Sequence, residues 1–168
     1  MRRLLIIAVI AARATAQNSA PDEVAAVILR GHNELRALHQ ARALVFDEAL
    51  VRYAQYWARH LAASGTFEHS GGPYGENLYL LSSTGPVGVL DAARSAVHEW
   101  AGEAVLYRYG DDSTHKTGHF TQMIWKSSLR MGCATARREK GRLNAIYVVC
   151  SYDPPGNFLG RFPQNVLP

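Results

Sequence analysis

Cysteine is scarce in this chain: Cys133 and Cys150 are the only two in 168 residues. At most one intramolecular disulfide can form, which excludes a scaffold held by several bridges. Long apolar runs are missing as well. No stretch reaches the roughly 20 apolar residues that a membrane helix needs, so the chain is not expected to span a bilayer. It has no Gly-x-Ser-x-Gly, no phosphate-binding glycine loop and no dinucleotide fingerprint, which removes three common catalytic frameworks. Internal repeats, low-complexity segments and Asn-x-Ser/Thr acceptor sites are absent too. Nor does charge of one sign dominate. Of 18 Lys and Arg against 14 Asp and Glu, Arg2, Arg3 and Arg13 lie in the first 16 residues, leaving 15 basic to 14 acidic residues and a net charge of +1 beyond them. That balance argues against a nucleic-acid partner. The run Arg137 to Arg142 is basic, but it falls between two strand-like segments and reads as a solvated turn.

What is present begins with a leader. Met1-Arg2-Arg3, an apolar run from Leu4 to Ala12 and the small-residue pattern Ala12-Arg13-Ala14 or Ala14-Thr15-Ala16 read as a secretory signal peptide over residues 1–16. Residues 17–168 then suit one exported domain, secreted to the extracellular space. Val24, Val27, Ile28, Leu35 and Leu38 follow helical spacing and predict a helix over 22–39, whose other face carries His32, Asn33 and Arg36 as a solvated stripe or a buried network. Asp47 is a good N-cap for a second helix to about Ala63. Gly65 ends it, and the glycine-rich stretch Phe67 to Asn77 reads as irregular and exposed. Pro86 suits the first position of a third helix through Trp100. Residues 101–116 lack periodicity and read as a long loop. Thr117 is a candidate N-cap for a short helix in which Phe120, Met123 and Ile124 share one face while His119 looks elsewhere. Segments 130–137 and 143–152 predict two strands, followed by an extended tail over 156–168. Cys133 and Cys150 sit in those strands, either bridged or as two buried thiols; a bridge across 17 residues would contribute about 3 kcal/mol.

The chemistry-bearing residues are dispersed. His98-Glu99 opens like a zinc-protease motif, yet Gly102 stands where the second histidine belongs. His115 and His119 are four apart, but Thr117 and Gly118 interrupt a helix joining them. His69 and Glu76 in the glycine-rich stretch, Glu99 late in the third helix and His119 remain. Two imidazoles and two carboxylates can bind a divalent metal or exchange protons, provided the fold brings them together.

Gly118-His119-Phe120-Thr121-Gln122-Met123-Ile124-Trp125 with Gly132-Cys133-Ala134 resembles the first signature of the CAP superfamily, which comprises cysteine-rich secretory proteins, antigen 5 and the group-1 pathogenesis-related proteins. Tyr147 to Phe158 resembles the second. His32-Asn33, Arg36, Ala54-Gln55, Trp57-Ala58, Gly75-Glu76-Asn77 and Glu99-Trp100 add to the resemblance, which covers about residues 24–163. It implies an α+β fold, a three-layer α-β-α sandwich with a small antiparallel sheet between helical layers. It also implies a cleft tetrad of His69, Glu76, Glu99 and His119, in which His69 and His119 hold a divalent metal, zinc foremost, and a disulfide between Cys133 and Cys150. The function it implies is binding of sterols or fatty acids, with Tyr107 and Tyr109 in a lipid-contacting loop, rather than catalysis. A metal-dependent hydrolase using the tetrad is the alternative. A third possibility is signalling or virulence through a protein partner or a released C-terminal peptide, although Gln164 follows Pro163 where the plant pattern has tyrosine.

Overall fold

The computed structural model describes residues 23–112 and 116–168; the signal-peptide reading lies outside them. Helix α1 spans Glu23–Leu38, and its polar face proves to be a buried network. Arg36 donates to the carbonyls of Arg42, Met123, Trp125 and Ser128 at 2.7–2.9 Å. The guanidinium thereby satisfies carbonyls that end the His119 helix. Burial lowers its pKa to about 10. His32 bonds Ile28 O at 2.8 Å and the Tyr152 hydroxyl at 2.7 Å, and burial lowers its pKa to about 4.

Strand β1 (Val45–Phe46) leads into α2 (Glu48–Ser64), which starts and stops where local chemistry directs. Asp47 Oδ1 accepts from Ala49 N at 2.8 Å and Leu50 N at 3.1 Å, and Gly65 closes the helix in the left-handed region at φ 77°. Strand β2 (Gly75–Ser83) follows, then α3 (Val89–Gly102), a 3₁₀ turn over Glu103–Leu106, α4 (Gly118–Ile124), β3 (Arg130–Lys140), β4 (Leu143–Asp153) and the single turn α5 (Phe162–Asn165). Three expectations change. Glu76 and Asn77 sit in a strand rather than an irregular segment, because β2 pairs with β4 from Gly75 to Ser83. The third helix begins at Val89, past Pro86, and the chain stays helical for one turn beyond Trp100. The tail contains a helical turn that buries Phe162.

The sheet order is β1-β3-β4-β2, with β3 antiparallel to β4, β4 to β2, and the two-residue β1 parallel to β3. Alternation along β4 separates two cores. Ile146, Val148, Cys150 and Tyr152 pack with residues of α1, α3 and α4, including Ile28, Trp100 and Phe120. Tyr147 and Val149 face Ala54, Ala58 and Leu61 of α2. The result is the expected α-β-α sandwich, and Gly132 allows β3 to approach the α2 backbone closely: a Cβ there would lie 2.2 Å from Val51 N. Cys133 and Cys150 are directly opposed in the β3–β4 ladder and form the disulfide.

Candidate functional site

Four elements meet in a cleft of about 340 Å³ lined by His69, Glu76, Asn77, Glu103, His119 and Asn157, among others. Gly75 admits the Gln122 side chain, since a Cβ at this position would sit 2.2 Å from Gln122 Oε1. The strand that follows turns Glu76 inward, its side chain only 6% exposed. Glu76 Oε1 accepts from His69 Nδ1 at 2.7 Å and Ser70 N at 3.0 Å, which draws the glycine-rich loop onto the sheet. This bond to Glu76 raises the His69 pKa, burial opposing it. The second oxygen of Glu76, Oε2, is buried and has no hydrogen-bond partner.

A second pair faces the first. His119 Nδ1 meets Glu103 Oε1 at 2.6 Å, while Glu103 Oε2 accepts from His119 N at 2.9 Å and Phe120 N at 3.0 Å. The carboxylate thus caps α4 from another element. Thr117, expected as the cap, makes no side-chain cap bond because Glu103 already takes the free N–H groups. Asn77 Nδ2 donates to His119 O at 3.1 Å, and Asn157 Nδ2 to Gly118 O at 2.8 Å. The Trp100 ring lies against His119, centroids 5.9 Å apart and planes within 21°. A carboxylate only accepts, so each Nδ1 carries a proton. In the neutral tautomer each Nε2 is then a lone-pair donor, an imidazole held by a carboxylate in the manner of metal-site histidines. Among the described residues no group of three or more His, Cys, Asp or Glu converges to hold a metal ion.

The profile of the CAP, or cysteine-rich secretory protein, family matches residues 29–152. The chain belongs to the CAP family. It is 37% identical over 163 residues to pathogenesis-related protein 1C of Nicotiana tabacum, covering 95% of this chain and 89% of that one. To secreted protein RBT4 of Candida albicans it is 41% identical over 139 residues, 82% of this chain but 37% of RBT4. It spans 66% and 39% of two other fungal relatives' length. Among solved structures it is similar to NaASP2 with Zn2+, at 27% identity and TM-score 0.65, over 85% of this chain and 86% of that one.

In this CAP domain Glu99 stands apart from the cleft expected for it. It lies in α3, four residues before Glu103 opens the 3₁₀ turn, and is exposed, with no hydrogen bond or ion pair to any described residue. It lines a neighbouring cavity of about 460 Å³ with Phe67, Leu78, Tyr79, Leu80 and Trp100. Glu103 and His119 belong to both spaces. Glu103 escaped the sequence reading because 101–116 showed no periodicity; its spacing of four from Glu99 was the available signal. Tyr107 is buried, at 8% exposure, against Phe120, its hydroxyl donating to Asp111 O. Tyr109, 44% exposed, stacks on His39. Neither tyrosine lines the cleft or the cavity. His98 lines a separate groove between α1 and α3, and His115 is outside the described residues.

Proposed function

We propose that this protein is an extracellular binding protein for a sterol or a fatty acid, without catalytic activity, and that a divalent metal ion, zinc foremost, sits between His69 and His119. The observation that carries the reading is the shared wall: a polar cleft and a mostly apolar cavity meet at Glu103 and His119. An amphiphile needs two such surroundings side by side, and apolar spaces of this size with a few convergent polar groups are the usual form of ligand sites. Leu78, Tyr79, Leu80, Phe67 and Trp100 would take the apolar body.

The cleft offers a metal two imidazoles, short of a closed set of three or more protein ligands among the described residues. Two imidazoles present Nε2, and the bare, buried Glu76 Oε2 is an acceptor whose desolvation is uncompensated by any hydrogen bond. His69 and His119 would hold the ion and Glu76 and Glu103 would orient them; the ion would supply positive charge and Lewis acidity beside a ligand's polar end. The similarity to NaASP2 with Zn2+ supports the choice of metal. A hydrolase is a poorer match: Glu103 commits both oxygens to α4 and His119, and the bare oxygen of Glu76 is out of contact with solvent, so neither is placed to activate water. Release of a C-terminal peptide gains no support either, since Phe162 and Val166 are buried in the core.

Titration of the purified mature protein with labelled cholesterol and palmitate is expected to give saturable binding of at least one. Saturable binding of neither overturns the lipid reading. Calorimetric zinc titration tests the metal separately: His69→Ala and His119→Ala should each weaken binding by about tenfold or more.

A further inference from the structure

The cavity beside His119 lies at the open margin of the sheet. Strand β2 pairs with β4 on one side and with no strand on the other among the described residues. The cavity therefore wraps an edge: Leu78 and Leu80 belong to the core under α2, and Tyr79 to the core under α3. Phe67, 53% exposed, stands at this cavity as an aromatic ring left in water.

Its polar groups are one-sided. Glu99, Glu103, His119 and the Tyr79 phenol line the cavity and no Lys or Arg does, Lys116 lying beyond the shared wall in the adjoining cleft. Glu103 has both oxygens taken by His119 and Phe120. Glu99 is exposed and bonded to no described residue, so it is a charged acceptor with full capacity. In the metal-free protein a ligand carboxylate entering here meets like charge with no Lys or Arg in the cavity lining to offset it, which costs affinity. A ligand hydroxyl instead donates to Glu99 in a charge-assisted hydrogen bond, about twice as strong as a neutral one.

We propose that Glu99 selects the ligand's polar end, so that the cavity takes neutral, hydroxyl-headed lipids such as sterols and long-chain alcohols in preference to fatty acids. This rests on the lipid-binding reading above and specifies both where the lipid lies and which class is bound. It gives Glu99 a role distinct from the metal cleft.

Two matched pairs of probes isolate the head group: cholesterol against cholesteryl hemisuccinate, and hexadecanol against palmitate. Binding is measured on chelator-treated protein, so that no metal bridges to a carboxylate. The neutral member of each pair that binds is expected to be about tenfold tighter or more. Glu99→Lys should reverse the preference, and Phe67→Asp should weaken both members about tenfold. Both positions are exposed, so unchanged melting temperatures are expected to accompany these shifts. A wild-type preference for the acid, or a Glu99→Lys ratio equal to wild type, overturns this inference and leaves lipid binding standing. Full affinity in Phe67→Asp overturns the placement of the ligand. Binding of none of the four probes overturns the lipid reading itself.

Discussion

At the scale of single residues, Glu103 carries more than its neighbours. One carboxylate fixes the ring of His119 and also accepts the first free N–H groups of α4. Glu103→Ala is therefore expected to lower stability by about 1–3 kcal/mol and zinc affinity by about 10- to 100-fold. Glu99→Ala should leave both unchanged. Melting curves and zinc titrations of the two variants decide the assignment, and the opposite pattern would return the role to Glu99. His32 makes a pH prediction. Its folded pKa of about 4 lies below the ordinary histidine value of 6.5, so between these values the unfolded chain binds a proton that the native state refuses. The corresponding stability is present above pH 6.5 and is lost as pH falls toward 4, by roughly 3 kcal/mol at the most. His69, whose folded pKa is raised, acts in the other sense, adding stability below its unfolded pKa that is lost as pH rises through the folded one. It is largely exposed and offsets little. Denaturation at pH 7, 6 and 5 should show the fall, and His32→Gln should flatten it.

At the scale of elements, α2 and β2 behave oppositely. Helix α2 is encoded locally by Asp47, a periodic stripe and Gly65, and it spans nearly the residues expected. Asp47→Ala should cost about 1 kcal/mol, read as a lower denaturation midpoint at unchanged slope. Strand β2 is held by its partner. Gly75 and its glycine-rich approach suggested a loop, yet nine residues pair with β4, and the pleat turns Glu76 into the cleft. Packing between layers is equally specific at Gly132, where an added Cβ would meet the backbone of Leu50 and Val51 rather than a side chain that can move. Gly132→Ala is expected to destabilise by about 1–3 kcal/mol, measured by chemical denaturation.

At the scale of the whole molecule, the disulfide and the cleft are separable. Cys133–Cys150 ties β3 to β4, and the cleft residues His69, Glu76, Glu103 and His119 all lie outside the loop it closes. Cys150→Ser should lower stability by about 2–5 kcal/mol, while zinc affinity measured well below the melting point stays near wild type. A variant that melts like wild type would remove the bridge from the stability argument. By itself the sequence determined what depends on neighbours along the chain: the helical stripes of α1 and α2, the Asp47 cap, the apolar run of β4 and the short helix after Gly118. The motifs around His119 and Tyr147 also carried the family and its sandwich. Tertiary structure alone decided which carboxylate meets which imidazole. Glu103 and His119 are 16 residues apart across a stretch without periodicity, and Glu76 reaches His69 only because β2 is registered on β4. Local spacing reports which residues share a face of one element. Contacts between elements follow from packing and register, and those brought Glu103 to His119 and left Glu99 facing the apolar cavity.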